Sequence, residues 1–262
     1  MPSTKKIDLQ KLARQIFTGK VDLLHLPKEV YRFTYEELLT ALYKGFGTTW
    51  NKTVTWDEVD RALLGRLRTN VYHFSAAKTF NQISEMSAAM YDGDRVVPFK
   101  EFRAKVDDIA KVYNESWLAT EYNTVLESAS SAASWQRFEK EKKTFPNLRY
   151  SSIETACEIC TPMNGIVLPV TDSFWNSHNV PQHFNCRCLL LQEESTVEVS
   201  ESGRIETLNH YLTEKKSPVF MNNPGKSGVV FNKKHPYFMV SKRYARFAQD
   251  NFGLSIPAKD GF

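Results

Sequence analysis

The stretch CEICTPMNGIVLPVTDSFWNSHNVPQHFNCRCLLLQ, residues 157–192, contains all four cysteines of the chain and two of its six histidines. Its cysteines and one histidine follow the pattern C-x2-C-x22-H-x2-C-x-C. Thiols this close in sequence can point two sulfur atoms at one place. Four sulfur ligands in a tetrahedron are what structural zinc prefers in proteins. The spacing therefore predicts a structural zinc site.

Five side chains are candidate zinc ligands: Cys157, Cys160, Cys186, Cys188 and His183. Turn-forming residues after the first pair favour a tight knuckle there. The second pair is expected on a strand, where residues two apart project from the same face. Because a tetrahedral site takes four ligands, we expect the four cysteines to bind and His183 to lie beside them. Four protein ligands leave no open position for water or substrate, so the predicted zinc is structural.

Three other interpretations of the cysteines stay open. The four thiols can be unrelated buried residues, two disulfides, or a redox C-x2-C motif. Disulfides need an oxidising compartment, whereas the N-terminal stretch MPSTKKIDLQKLARQIF has no apolar core typical of a secretory signal. A redox motif opens a helix after a strand, whereas Pro162, Asn164 and Gly165 indicate a turn.

The composition indicates a folded chain without a membrane span. Apolar residues make up 42% of the 262 residues, enough for at least one sizeable core. No apolar run approaches the roughly 18 residues that a membrane helix requires. The net charge of +4 is too small to indicate nucleic-acid binding by the chain as a whole.

Helical patterns dominate the first half of the chain. Capping boxes are predicted at Thr34 with Glu37 and at Thr55 with Glu58. The segment between Pro98 and Pro146 lacks Pro and Gly, and its apolar residues recur at helical spacing, which predicts one long helix or two with a slight break. It carries two tryptophans, Trp117 and Trp135, either of which can be a core residue or an anchor for a partner.

The short apolar segments after residue 146 predict a small antiparallel sheet. The expected fold class is therefore α+β and mainly α-helical: N-terminal helices, one long helix, a small antiparallel zinc-knuckle sheet and an extended C-terminal arm. We expect an N-terminal helical region at 1–98 and a central domain at 99–192 with its knuckle at 148–192. A linker and a basic extension follow at 193–262.

The C-terminal extension has a local excess of positive charge. From Lys215 to Gln249 there are eight Lys or Arg residues and no Asp or Glu. Candidate nucleic-acid-binding residues are Lys226, Lys233, Lys234, Lys242, Arg243 and Arg246. Aromatic residues lie between them, and such a mixture can neutralise phosphates and stack on bases. The alternative is a solvated basic face whose aromatic residues anchor the segment to the fold.

Several stretches resemble the phage Mu protein F-like minor head proteins, also called phage head morphogenesis proteins. They are WLATEYNTVLESASSAASWQRF (117–138), CEIC, NGIVLPVTDSFW and VPQHFNCRCLLL. The resemblance covers about residues 100–192 and includes a Thr-Glu pair at Thr120 and Glu121. At 163–165 the chain has Met-Asn-Gly where the family often has Leu-Asp-Gly, which keeps the turn. Glu121 can equally be a solvated or capping carboxylate.

The resemblance implies a non-enzymatic minor capsid protein of a tailed bacteriophage. Its implied place is the virion, inside the head near the portal vertex, after assembly in the host cytoplasm. It implies a role in head assembly, with DNA packaging or ejection as a further role. The implied partners are the portal protein and other head proteins, with packaged double-stranded DNA as a further candidate and no membrane.

A phage-encoded nuclease or toxin-type enzyme carried in the head is the alternative. His178-Asn179 and His183 near a zinc knuckle are similar to part of a His-Asn-His nuclease. Such a nuclease needs a further histidine or carboxylate on a helix after the hairpin, and only the stretch LLLQEEST directly follows Cys188. In KKHPYF (233–238), His235 is a candidate acid-base residue for RNA cleavage, although His before Pro is usually a turn residue.

Overall fold

The computed structural model describes residues 7–47, 57–153 and 157–252. The helices within these ranges are α1 (Leu9–Phe17), α2 (Lys28–Phe46), α3 (Glu58–Ala88), α4 (Phe99–Lys111), α5 (Leu118–Glu141), α6 (Ser202–Lys215), α7 (Pro224–Ser227) and α8 (Ala245–Phe252). The strands are β1 (Tyr91–Asp92), β2 (Arg95–Val96), β3 (Asn147–Ser151), β4 (Val167–Pro169) and β5 (Leu189–Glu193). The predicted mainly helical α+β class is confirmed.

The chain divides into two compact units that interleave along the sequence. The first comprises Met1–Thr40, Val71–Tyr122 and Lys233–Phe262, and the second comprises Ala41–Asn70 and Asn123–Asn232. Helices α2, α3 and α5 each contribute residues to both units. The three consecutive segments expected from the sequence remain a prediction.

The core of the first unit lies where α1, α3 and α4 meet. Asp8 caps α1 by accepting a hydrogen bond from the backbone N–H of Lys11 at 2.9 Å. Apolar residues spaced one helical turn apart then face inward, so that α1 packs on α4. The buried members of this core are Leu12, Ala13, Ile16, Val21, Val30, Ile83, Met86, Val97, Phe102, Val106 and Ala110. No helix among the described residues is long and apolar enough to cross a membrane.

The predicted long helix runs through α4 and α5 with one irregular turn. Val112–Trp117 form a π-helical turn between the two α-helices, which is the slight break expected from the sequence. The two tryptophans differ in exposure: Trp117, at the end of this turn, is 42% exposed, whereas Trp135 is 1% exposed. Trp135 is therefore a core residue, and Trp117 is the tryptophan available to a partner.

A buried ion pair lies in the first unit. Lys78 Nζ on α3 donates to the Glu121 carboxylate on α5, and both side chains are buried. The Tyr237 hydroxyl also donates to this carboxylate. Glu121 is therefore not the solvated or capping residue that the sequence left as an alternative. Burial raises the pKa of Glu121 to about 7, although Lys78 acts against that shift.

The second unit is built on a three-stranded antiparallel sheet in the order β4-β3-β5. Leu148 pairs with Leu168 of β4 and with Gln192 of β5. Gly165, just before β4, has a φ of +76°, a left-handed conformation that glycine adopts without strain. One face of the sheet lies in a core to which α5 and α6 contribute Trp135, Phe138, Leu208 and Leu212. The small sheet predicted from the sequence is confirmed.

The aromatic residues of the C-terminal segment anchor it to the fold. In the first unit, the Tyr244, Phe247 and Phe252 rings pack on Phe80 at centroid distances of 5.3 to 6.0 Å. In the second unit, Phe231 is 1% exposed. The alternative interpretation of these aromatics as anchors is therefore the one that the structure supports.

One predicted capping box is wrong and the other lies partly outside the described residues. Helix α2 begins at Lys28, directly after Pro27, so Thr34 lies in the second turn of the helix and is fully buried. Residues 28–33 contain no Pro or Gly, so the helix forms ahead of Thr34. Helix α3 begins at Glu58, whereas Thr55 is outside the described residues.

Replacing Lys78 with methionine should destabilise the protein by about 3–5 kcal/mol, because it leaves a buried carboxylate without its cation. The double variant Lys78→Met/Glu121→Leu should recover most of that loss. The folded-state pKa of Glu121 is raised above its unfolded value, so the protonated carboxyl is favoured in the fold and stability falls as pH rises. The single variant should therefore lose more stability at pH 8 than at pH 5. Urea unfolding at both pH values measures this, and a Lys78→Met protein as stable as its parent contradicts it.

Candidate metal centre

Two tight turns bring the candidate ligands together. In the first, the Cys160 N–H donates to the Cys157 carbonyl at 3.1 Å, and a 3-10 helix (Thr161–Met163) follows. In the second, the Cys186 N–H donates to the His183 carbonyl at 3.2 Å. Asn185 closes this turn with a φ of 57°. Each turn therefore presents two candidate ligands three residues apart, and Cys188 follows the second turn.

The ligand atoms form two overlapping groups that share Cys160. Cys157, Cys160 and His183 have ligand atoms within 4.8 Å of one another, and so do Cys160, Cys186 and Cys188. All five predicted residues thus converge around one sulfur. Cys157 is exposed, while the other three thiols are buried.

The spacing of the sulfur atoms fits a tetrahedral metal. The Sγ atoms of Cys160 and Cys186 are 3.9 Å apart. In a tetrahedral site with zinc–sulfur bonds of 2.3 Å, two sulfurs are about 3.8 Å apart. The donors are sulfur and imidazole nitrogen, the set that zinc prefers over the oxygen donors typical of magnesium or calcium. The residues present therefore fit zinc.

His183 is oriented so that its second ring nitrogen is available to the centre. Its Nδ1 lies 2.8 Å from the Phe184 carbonyl, to which it donates. A metal-binding imidazole usually fixes its orientation through such a bond from its other nitrogen. The hydrogen bond to Cys186 raises the pKa of His183 to about 9, so the same geometry also suits a protonated ring donating to a thiolate. The expectation that His183 lies beside four cysteine ligands remains a prediction.

Charges around the centre favour a thiolate at Cys186. Hydrogen bonds from Cys160 and Cys188 hold the pKa of the Cys186 thiol well below its usual value. A buried lysine, Lys216, donates its Nζ to the Ser177 carbonyl at 2.7 Å. Burial lowers the pKa of Lys216 to about 7, and negative charge on Cys186 and Cys160 acts against that shift. Ionised thiols at Cys186 and Cys160 therefore favour the charged form of this lysine.

The position of Cys186 and Cys188 differs from the sequence expectation in one respect. Both residues precede β5, which begins at Leu189, rather than lying on the strand. Because residues 183–186 form a turn, the pairing of β5 with β3 begins only at Leu189. Cys186 and Cys188 are nevertheless both buried while Arg187 between them is exposed, as the alternation predicted.

Two of the three histidines of the enzyme alternative, His178 and His235, are buried in the fold. His178 is fully buried, and its Nε2 lies 2.8 Å from the Asn209 Oδ1. His235 caps a 3-10 helix (Pro236–Phe238) by accepting the Tyr237 N–H at 3.2 Å. Burial lowers the pKa of each histidine to about 4. Neutral, enclosed imidazoles of this kind suit structural roles better than proton transfer to a nucleic acid.

The six predicted nucleic-acid-binding residues are all exposed, but several have partners within the fold. Lys226 donates to the Asn176 Oδ1 at 2.7 Å and lies over the Trp135 ring at 4.9 Å in the second unit. In the first unit, Arg243 lies over the Tyr244 ring, and Arg246 pairs with Asp250 at 3.1 Å. The other three candidates, Lys233, Lys234 and Lys242, are exposed in the first unit. The structure therefore gives Lys226 a packing role that the sequence did not indicate.

Lys78 and Lys216 were missed by the sequence analysis. The sequence held a weak signal for Lys78 and none for Lys216. Lys78 lies in the stretch FSAAKTF (74–80), whose residues are all buried, so a lone lysine on an apolar helix face indicated a buried charge. Lys216 directly follows α6 and is preceded by another lysine, which gave no reason to expect burial.

The protein is therefore mainly helical, and a small sheet and a thiol cluster follow its long helix. The thiol cluster forms a candidate metal-binding knuckle. Residues 84–191 match the family described as phage Mu protein F like protein. The match begins within α3, earlier than the resemblance noted in the sequence, and ends within β5. The resemblance noted in the sequence is confirmed over these residues. No curated protein and no solved structure matches the chain significantly.

Freshly purified, reduced protein should contain one zinc ion per chain. Structural zinc contributes folding free energy, on the order of 10 kcal/mol in small peptides. Chelation should therefore remove hydrogen-exchange protection from residues 157–192 while α1 and α4 keep theirs. Elemental analysis and hydrogen exchange measure the two effects. Protein without stoichiometric zinc, or protection unchanged by chelation, would reject the site.

Single substitutions should identify the ligands. Cys157→Ser and Cys188→Ser should weaken zinc binding to a similar extent, because each removes a sulfur ligand. His183→Ala should be milder, because the imidazole is expected to lie beside the four sulfurs. His210→Ala, an exposed histidine on α6, is the matched control. Competition with a chromophoric chelator measures the affinities, and a loss in His183→Ala equal to that of the cysteine variants would make His183 a ligand.

Proposed function

We propose that this protein is a minor head protein of a tailed bacteriophage, located inside the head near the portal vertex and acting in head assembly. The observation that carries this proposal is the family match over residues 84–191, which covers the long helix, both metal-binding turns and the sheet. The family indicates phage head morphogenesis and a structural rather than catalytic part. Roles in DNA packaging or ejection belong to the same proposal.

The metal centre supports a structural role. We infer that zinc is the metal and that it holds the two turns together, since its candidate ligands come from segments more than twenty residues apart in sequence. Four protein ligands would close the coordination sphere and leave no position for catalysis. The burial of His178 and His235 agrees with this role and gives no support to the nuclease or toxin alternative.

The portal protein and other head proteins are the proposed partners. Trp117 offers an anchor, because it is a large aromatic residue left 42% exposed at the end of a π-helical turn. Its ring lies 4.6 Å from that of Tyr113 and 6.3 Å from that of Tyr237 between centroids, so these neighbours restrict its orientation before binding. Rigid aromatic anchors lose little conformational entropy on binding and often dominate interface energies.

Trp117→Ala should weaken binding to the portal protein of the same phage by about 30-fold, the effect of losing one hot-spot residue worth about 2 kcal/mol. Tyr91→Ala is the matched control, because Tyr91 is an aromatic residue 50% exposed in β1. Binding of purified proteins is measured by calorimetry, with circular dichroism as the check on folding. Equal affinity of a folded Trp117→Ala protein and its parent would remove Trp117 from the interface.

Packaged double-stranded DNA is the further proposed partner. Lys233, Lys234, Lys242 and Arg243 are exposed in the first unit, and no acidic residue separates them in the sequence. Because the aromatic residues among them pack inward, contact with DNA would be through phosphates rather than through stacked bases. Such binding is insensitive to sequence and strongly dependent on salt.

Replacing these four cations with glutamine should weaken binding to duplex DNA and flatten its salt dependence. Each lost phosphate contact lowers the magnitude of the slope of log affinity against log salt by about 0.9. The matched control replaces the exposed residues Lys11, Lys44, Lys111 and Lys143, which changes the net charge equally. A slope that falls as much in the control as in the test variant would show a general charge effect and no DNA-binding surface.

Locating the chain in the intact particle tests the proposal as a whole. Crosslinking of purified virions followed by mass spectrometry should give links between this chain and the portal protein, and heads lacking the gene should be defective in assembly. A chain absent from virions, or present only on the outer surface, would overturn the proposed location. Nuclease activity in purified protein that Cys160→Ser abolishes would favour the alternative.

A further inference from the structure

Tyr150 places a hydroxyl group against the thiol cluster. It lies on β3, opposite Leu190 of β5, and its side chain is fully buried. Its hydroxyl oxygen has no well-formed hydrogen bond among the described residues. Tyr150 shares its buried cluster with Cys160, Cys186 and Cys188, and the thiols of Cys160 and Cys188 are the candidate partners of its hydroxyl.

An apolar residue would suit this position better if packing were its only purpose. Leu148 and Leu190 occupy the same core as Tyr150, and both are buried. A buried hydroxyl without a partner costs about 1–3 kcal/mol, and a phenylalanine of the same shape would avoid that cost. A hydrogen bond from the hydroxyl to one of the thiol sulfurs would remove this cost and explain why the residue is tyrosine.

We propose that Tyr150 is a positioning residue for the metal centre, whose hydroxyl donates a hydrogen bond to the thiolate of Cys160 or Cys188. This inference rests on the zinc site proposed above. A thiolate that binds a metal keeps lone pairs able to accept such a bond. The bond holds the sulfur at its place in the tetrahedron and withdraws charge from it. Outer partners of this kind typically contribute 10–100-fold to metal affinity.

The position of Tyr150 in the chain explains how the sheet and the centre depend on each other. Tyr150 N–H donates to the Ile166 carbonyl at 2.8 Å, and the Gly165 N–H donates to the Tyr150 carbonyl at 2.9 Å. These bonds fix β3 beside the end of the first metal-binding turn. The Tyr150 side chain thereby lies in one buried cluster with Cys160 of that turn and with Cys188, which precedes β5.

Tyr150→Phe tests the proposal while preserving the ring. Zinc affinity, measured by chelator competition, should fall about 10–100-fold. The sulfur-to-cobalt charge-transfer band of the cobalt(II)-loaded protein should shift, a change that loss of packing alone does not produce. Tyr43→Phe is the matched control, since Tyr43 is a half-buried tyrosine on α2 in the same unit and lies outside the turns that carry the candidate ligands.

Each outcome decides the question. A Tyr150→Phe protein with unchanged affinity and an unchanged cobalt spectrum overturns the role of the hydroxyl and leaves the zinc site standing. An unmodified protein that binds neither zinc nor cobalt overturns the site itself. If Tyr150→Phe does not fold, the unmodified protein loaded with cadmium-113 provides the test. A slowly exchanging Tyr150 hydroxyl proton coupled to cadmium supports the proposal, and the absence of that coupling overturns it.

Discussion

The convergence of buried thiols around Cys160 is the constraint on which the second unit depends. Three sulfur atoms lie inside a core that also contains Trp135, Trp175 and Tyr150. Thiols brought this close repel one another once they ionise, and a bound cation turns that repulsion into attraction. A metal bound by these thiols would join the turns that precede β4 and β5.

The spacing of the cysteines was enough to predict that the candidate ligands come together, as the structure shows. The bound zinc stays a prediction. The sheet followed from the change in apolar periodicity after residue 146. The exact place of Cys186 and Cys188 could not be predicted, because the turn that closes at Asn185 depends on a backbone conformation that no local pattern demands. The start of α2 was misplaced since Thr34 has the residue type of a cap but is buried inside the helix.

Contacts between residues distant in sequence were beyond the sequence analysis. Lys78 and Glu121 are 43 residues apart, and neither helix alone indicates the partner of its buried charge. The proximity of Tyr150 to Cys188 depends on the register of β3 and β5. In both cases the sequence placed a polar residue among apolar ones. It did not indicate which distant residue would be its partner. The function followed from the family resemblance rather than from any of these contacts.

The central claim is that sulfur ligands from both turns bind one zinc ion. X-ray absorption at the zinc edge, on protein purified under reducing conditions, measures the ligands directly. The account predicts four sulfur atoms at about 2.3 Å from the zinc. A coordination shell made only of oxygen and nitrogen, or protein that contains no zinc, would contradict it.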